Sequence, residues 1–232
     1  MRAQRQSATR HVSARLMAAA LFVCVLLIPA AASAFMGTLW STDDGILGVG
    51  DWIDPGPTRI TWEVTQDAAD LWHYSYTFYH PGSATSHFIL EVSDTFTRND
   101  IVDIWGDYGA LELKTHDPGS GNPDMPGSIY GIKFDNAWGN ESHFGLSTYR
   151  APVWGDFYAK GGNGDTRPPL KAQAWNAGFA LADPIAPPAD ESINNHILVP
   201  DTHGTPPVPE PSTVLLMSTG LLGVACAWRR RK

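Results

Sequence analysis

Histidines and carboxylates are the residues of this 232-residue chain best suited to chemistry, so their spacing comes first. Seven of the eight histidines, His73, His80, His87, His116, His143, His196 and His203, lie beyond the first 70 residues of the chain. No His-Glu-x-x-His occurs and no spacing fits a zinc pattern, so no metal set is assigned. His80 and His87 flank one turn and could meet in space. His73 lies on the polar side of an alternating stretch and reads as a solvated imidazole. A pair of carboxylates at a defined separation could hydrolyse glycosidic bonds. With 24 Asp and Glu in the chain, however, some pair at any separation is assured. Glu63, Glu91 and Glu112 sit on polar strand faces, where solubility explains them. Ser147 follows Gly145-Leu146 without the pattern of a nucleophile elbow. No catalytic residue is assigned, and the chain is not read as an enzyme.

Two binding chemistries stay open. Asp117, Asn122, Asp124, Asn163 and Asp165 place oxygen donors in Gly-rich loops, which suits a hard cation such as calcium. Turn chemistry explains Asn and Asp there equally well. No cofactor is expected, with a structural calcium as the one exception left open. Eight of the nine tryptophans lie between the chain's two ends, and exposed rings can stack on sugars. Trp62 and Trp72 alternate with polar residues and read as core. Trp154, Asp156 and Tyr158 share a face with Lys160, opposite Val153 and Phe157. That face is the candidate for a ligand, with extracellular polysaccharide as its expected partner.

Both ends look like addresses rather than parts of a fold. Arg2, Arg5, Arg10 and Arg15 form a positive leader, Leu16 to Ile28 is apolar, and Pro29 breaks the run. Small residues follow at Ala32-Ser33-Ala34. This pattern predicts a secretory signal peptide over 1–34, export through the Sec translocon, and a mature chain that begins at Phe35. At the other end Pro209, Glu210 and Pro211 precede an uncharged run from Ser212 to Trp228, closed by Arg229, Arg230, Arg231 and Lys232. At about 1.5 Å per helical residue the run spans roughly 25 Å, enough for a short membrane crossing. The four cations would hold its end on the cytoplasmic side.

The order of these C-terminal parts resembles the PEP-CTERM sorting signal over about Val208 to Lys232. That resemblance implies an exosortase as the processing partner, a membrane enzyme that recognises the motif and cleaves near it. It also implies a Gram-negative host that makes extracellular polysaccharide. The body is similar to uncharacterised ectodomains that carry this tail, through Trp154-Gly-Asp-Phe-Tyr-Ala-Lys160 and Asn176-Ala-Gly-Phe179. This second likeness implies no chemistry.

Eight of the 16 basic residues belong to the two ends, but only one of the 24 acids, Glu210, does. The stretch between them therefore carries 8 cations against 23 acids, a net charge near −15. Such a body excludes nucleic-acid binding by phosphate neutralisation. Both cysteines, Cys24 and Cys226, also lie in the ends. An exported body without cysteine has to be stabilised by packing alone.

Within the body, period-two alternation predicts strands. Ile60, Trp62 and Val64 share one face, as do Trp72, Tyr74, Tyr76 and Phe78, and the two runs read as a hairpin. Further strands are expected over 87–92, 110–114 and 129–134, with a long loop over 117–127. His143 to Tyr149 and Val153 to Lys160 read as a second hairpin, and 171–181 as a last long strand or pair. Residues 35–57 read as an irregular lead-in with one short strand near 38–40, and 99–105 as a turn. His196 to Val199 either close an edge or belong to a stalk. The predicted architecture is an all-β sandwich of jelly-roll type over 35–182, a Pro-rich linker over 183–207 and a sorting tail over 208–232. Its membrane span covers 212–228 and its basic end 229–232. The functional expectation is an exported protein, first anchored in the inner membrane and then delivered to the cell surface or extracellular matrix, with a structural or interaction role. A carbohydrate-binding module and, behind it, a polysaccharide hydrolase are the alternatives.

Overall fold

A computed structural model describes residues 34–54, 56–137, 139–162 and 171–201. The leader up to Ser33, Trp138, Asn163, Asp165 and everything from 202 onward, including the expected span and sorting tail, lie outside the described residues. Among the described residues no helix is long and apolar enough to cross a membrane.

The body is all-β, with antiparallel pairing throughout. One sheet runs in the order β1 (Ala34–Trp40), β3 (Arg59–Gln66), β4 (Trp72–Tyr79), β9 (Glu141–Thr148) and β6 (Asp103–Gly106). The other runs β2 (Ile46–Gly50), β12 (Ala172–Asn176), β11 (Phe157–Gly161), β5 (Thr85–Glu91), β8 (Ile129–Asp135) and β7 (Ala110–His116). A short ribbon pairs β10 (Pro152–Gly155) with β13 (Ile197–Pro200). The described helix is a single 3₁₀ turn at Arg98–Asp100.

Alternation explains the first sheet. Ile60, Trp62 and Val64 of β3 and Tyr74, Tyr76 and Phe78 of β4 are buried, whereas Thr61, Glu63, Ser75 and Thr77 form the other face. The predicted hairpin is present, with Trp62 opposite Tyr76. Its turn is set by Asp67, whose carboxylate accepts the N–H groups of Ala69 and Leu71 at 2.8 and 3.0 Å. Aromatic rings join this sheet to the next. Phe78 meets Phe88 at 5.5 Å between centroids, Phe88 meets Phe144 at 4.4 Å, and Phe134 meets Phe144 at 4.8 Å.

The centre of the second sheet is covered on both faces. Phe88, Leu90, Phe134 and Phe157 face the first sheet, while Ile89 and Tyr158 point the other way, into a smaller cluster with Met125, Ile129 and Phe179. The predicted 117–127 loop supplies part of that cover: the Tyr158 hydroxyl donates to the Pro123 carbonyl at 2.6 Å.

Four expectations change. The lead-in holds two strands, β1 and β2, rather than one. Residues 103–106 form an edge strand after the 3₁₀ turn. Residues 143–149 and 153–160 do not make a hairpin, because the chain leaves the first sheet at Arg150 and divides into β10 and β11. The linker boundary at 183 is also too early. Ile197, Leu198 and Val199 are fully buried, and the Tyr76 hydroxyl donates to the Leu198 carbonyl at 2.8 Å, so the folded body extends to at least Asp201.

Trp62 depends on a glycine across the strand pair. Gly37 is its register partner, and a Cβ there would collide with the Trp62 ring. Gly37→Val is therefore expected to lower the unfolding free energy by about 1–3 kcal/mol. Thr38→Val, on the polar side of β1, should change it by no more than about 0.5 kcal/mol. Denaturant unfolding of the two variants measures the difference.

Candidate functional site

The structure disperses the residues that sequence put forward. Ala34 and Phe35 open β1, paired with Thr65 and Val64, and the Phe35 ring stacks on Trp72 at 6.3 Å. Ala32, Pro209, Glu210, Pro211 and Arg229 to Lys232 lie outside the described residues. The expected ligand face is corrected. Trp154 and Tyr158 are fully buried and Asp156 is nearly so. The strand expected to carry all three breaks at Asp156, which leaves Trp154 in the main core and Tyr158 in the smaller cluster. None of the three presents a surface to a sugar.

Two of the loop donors considered for calcium, Asp117 and Asn122, are engaged in local bonds. Asn122 donates to the Asp117 carbonyl at 2.9 Å and faces His87 at 3.1 Å, and Ser128 donates to the Asp117 carboxylate at 2.7 Å. His80 and His87 do not form a pair. His80 stacks on Trp52 at 4.1 Å, with Nε2 2.6 Å from the Thr85 hydroxyl. Burial holds its pKa down to about 4. Burial, followed by the charge on Lys133, holds His87 down to about 3.

The polar centre of the molecule lies elsewhere, where β5, β11, β12 and β13 end together. Asn176, fully buried at the end of β12, organises it. Its side-chain oxygen accepts the Phe157 N–H at 2.9 Å, and its amide donates to Asp156 Oδ1 at 2.6 Å and to the Asn195 carbonyl at 2.9 Å. Glu91, the last residue of β5, accepts the Asp156 N–H on Oε2 at 2.7 Å. His196 enters from the start of β13 with its side chain fully enclosed. Its Nε2 lies 3.6 Å from Asp156 Oδ1 and 3.5 Å from Asp183 Oδ1. One ligand atom each from Asp156, Asp183 and His196 falls within a 4.8 Å span.

Burial is the main electrostatic force here. It pushes the Glu91 carboxyl up to about 9, with the charges of Asp183 and Asp156 adding to it. It pushes Asp156 up to about 7 against the opposing Asn176 hydrogen bond, and it lowers His196 below the usual imidazole range. Three carboxyl groups and an imidazole that resists protonation can share protons or hold a cation. A shallow groove of about 320 Å³ lies apart from this cluster, on the polar outer face of β1, β3 and β4 beside Thr38, Thr61, Glu63, Ser75 and Thr77.

Sequence reasoning assigned Asp156 to a surface, Asp183 to a linker and His196 to an edge or stalk. Nothing in their spacing signals that they meet, because the three belong to separate segments joined only by the fold.

Residues 207–231 match the family described as the PEP-CTERM protein-sorting motif. No curated protein and no solved structure matches the chain. The chain thus carries a PEP-CTERM sorting motif, which implies an exported protein sorted by an exosortase through a membrane-anchored intermediate.

The buried neutral His80 sets a pH dependence. Its folded pKa of about 4 lies below the ordinary imidazole value of 6.5, so between those pH values the unfolded chain binds the extra proton. Stability at pH 7 is therefore lost as pH falls from 6.5 towards 4, by at most about 3 kcal/mol from this group. In His80→Gln the slope of unfolding free energy against pH should flatten by about one proton over that window. Urea unfolding at a series of pH values measures it.

Proposed function

We propose that this chain is an exported component of the cell envelope or extracellular matrix of a Gram-negative bacterium, with a structural or interaction role and no catalytic one. The sorting motif at residues 207–231 carries the reading. In this scheme the Sec translocon exports the chain and the signal peptide is removed between Ala34 and Phe35. The new N-terminus is then the second residue of β1, and it keeps its pairing with Val64 and its stacking on Trp72. The apolar run 212–228 spans the inner membrane, and Arg229, Arg230, Arg231 and Lys232 fix its direction. The exosortase reads Pro209, Glu210 and Pro211 and releases the body to the surface.

The body suits that role. It is all-β with a filled aromatic interior, and it is strongly acidic and free of cysteine. Its cluster of Asp156, Asp183 and Glu91 is largely enclosed and lies apart from the groove, which favours a structural role over hydrolysis. Polysaccharide recognition through Trp154 is not carried forward, since that ring is enclosed.

Intact-mass analysis of the protein recovered from its host tests the scheme. Two losses are expected, one at Ala34/Phe35 and one close to Pro209–Pro211. Replacing Arg229 to Lys232 with neutral residues should impair membrane retention and slow the second loss. A full-length, water-soluble product in the cytosol would overturn the proposal.

A further inference from the structure

Beside Asp156 and Asp183, the His196 imidazole has one ring nitrogen that no hydrogen bond satisfies. His196 Nδ1 lies 3.3 Å from the Ile193 carbonyl, to which it can only donate. That bond fixes the tautomer and leaves Nε2 as a bare lone pair. The imidazole is fully enclosed, and Nε2 makes no hydrogen bond. It is aimed at two carboxylate oxygens, 3.5 and 3.6 Å away. An enclosed nitrogen lone pair that faces carboxylate oxygens and receives no donor is costly unless a positive charge meets it.

A proton fits poorly as that charge. An N–H directed at either carboxylate would have to bridge 3.5 or 3.6 Å, beyond the usual range of about 2.7–3.2 Å for an N–H···O bond. A metal ion fits the same distances. A tetrahedron with bonds of about 2.1 Å has edges of roughly 3.4 Å, close to the two observed separations. The donor set also discriminates. Calcium and magnesium take oxygen, whereas one imidazole with two carboxylates is a ligand set for zinc.

The surroundings do what outer groups do around a metal. Ile193 orients the imidazole through Nδ1, and Asn176 holds Asp156 Oδ1 at 2.6 Å. We propose that Asp156, Asp183 and His196 form a structural site for a divalent transition-type cation, zinc in the first instance, which clamps the segment after β12 and the start of β13 onto the β10–β11 junction.

This proposal is independent of the sorting reading, because it concerns the folded body alone. The full chain, purified in detergent and stripped with a chelator, is titrated with zinc alone and, separately, with calcium alone. One zinc per chain is expected, with a rise in the unfolding midpoint and an X-ray absorption spectrum showing one imidazole among oxygen ligands. Asp183→Asn, at the least enclosed ligand, should weaken zinc binding by roughly 100-fold or more while the apo protein keeps its β-sheet circular dichroism. His196→Gln should remove the imidazole signature, and Asp117→Asn, in a remote loop, should bind as the unaltered chain does. Should His196→Gln fail to fold, Asp183→Asn decides. The proposal is overturned if the folded chain takes up no zinc, if Asp183→Asn binds zinc undiminished, if the spectrum contains no imidazole, or if calcium binds and zinc does not.

Discussion

The two sheets meet through rings. Phe88 touches Phe78 and Phe144 across the interior and stacks within 4° of parallel on Phe157 of its own sheet, at 5.3 Å. A body that leaves the cytoplasm with no cysteine cannot be stapled covalently, so apolar contact has to supply its stability. Each inward aromatic removes about 150–250 Å² from water, a larger gain per residue than aliphatic side chains give. The other arrangements depend on this seam. The covered centre of the second sheet, the β10–β13 ribbon and the enclosed polar cluster all lie against elements that the seam holds in place.

Legibility followed periodicity. β3 and β4 were readable because one face of each is solvated, so Trp62, Tyr74 and Phe78 alternate with Glu63, Ser75 and Thr77. That signal fades wherever both faces are covered. In β5 the run Phe88-Ile-Leu90 is buried throughout, and in β11 Phe157, Tyr158 and Ala159 all are, so no alternation marks the inner side. The Trp154–Tyr158 face was misread for this reason. Alternation shows that two sides differ, but it cannot show that one is water. β2 was missed for another reason. Its Gly48 has no room for a side chain against the Gln173 carbonyl of β12, so the sequence shows glycine where a strand usually shows a β-branched residue.

The sorting tail and the buried cluster are opposite cases. The tail is contiguous, and its order of tripeptide, apolar run and cations carries the information without any fold. The cluster combines Glu91, Asp156, Asn176, Asp183 and His196 from five separated segments, each of which taken alone resembles a surface or linker residue. Only the β12–β11–β5 pairing and the return of the chain along β13 bring them together. A single sequence contains no trace of that meeting.

The end of the fold bears on how the tail is presented. Asp201, the last described residue, is held by Arg150 Nη1 at 3.2 Å, and Arg150 also reaches Asp100 at 3.1 Å and the Thr95 carbonyl at 2.8 Å. Its guanidinium lies 5.8 Å above the Phe96 ring. One side chain thus ties the exit of the chain to the 3₁₀ turn and to the end of β9. Because the body is folded through Asp201 rather than ending near 182, the spacer before Pro209 is short. At roughly 3.5 Å per residue it can reach no more than about 30 Å even when fully extended. On the proposed reading, a processing enzyme would meet the motif with the folded body close beside it. Its access to Pro209, Glu210 and Pro211 would then depend on how firmly the Arg150–Asp201 contact holds the last strand, as well as on the tripeptide itself.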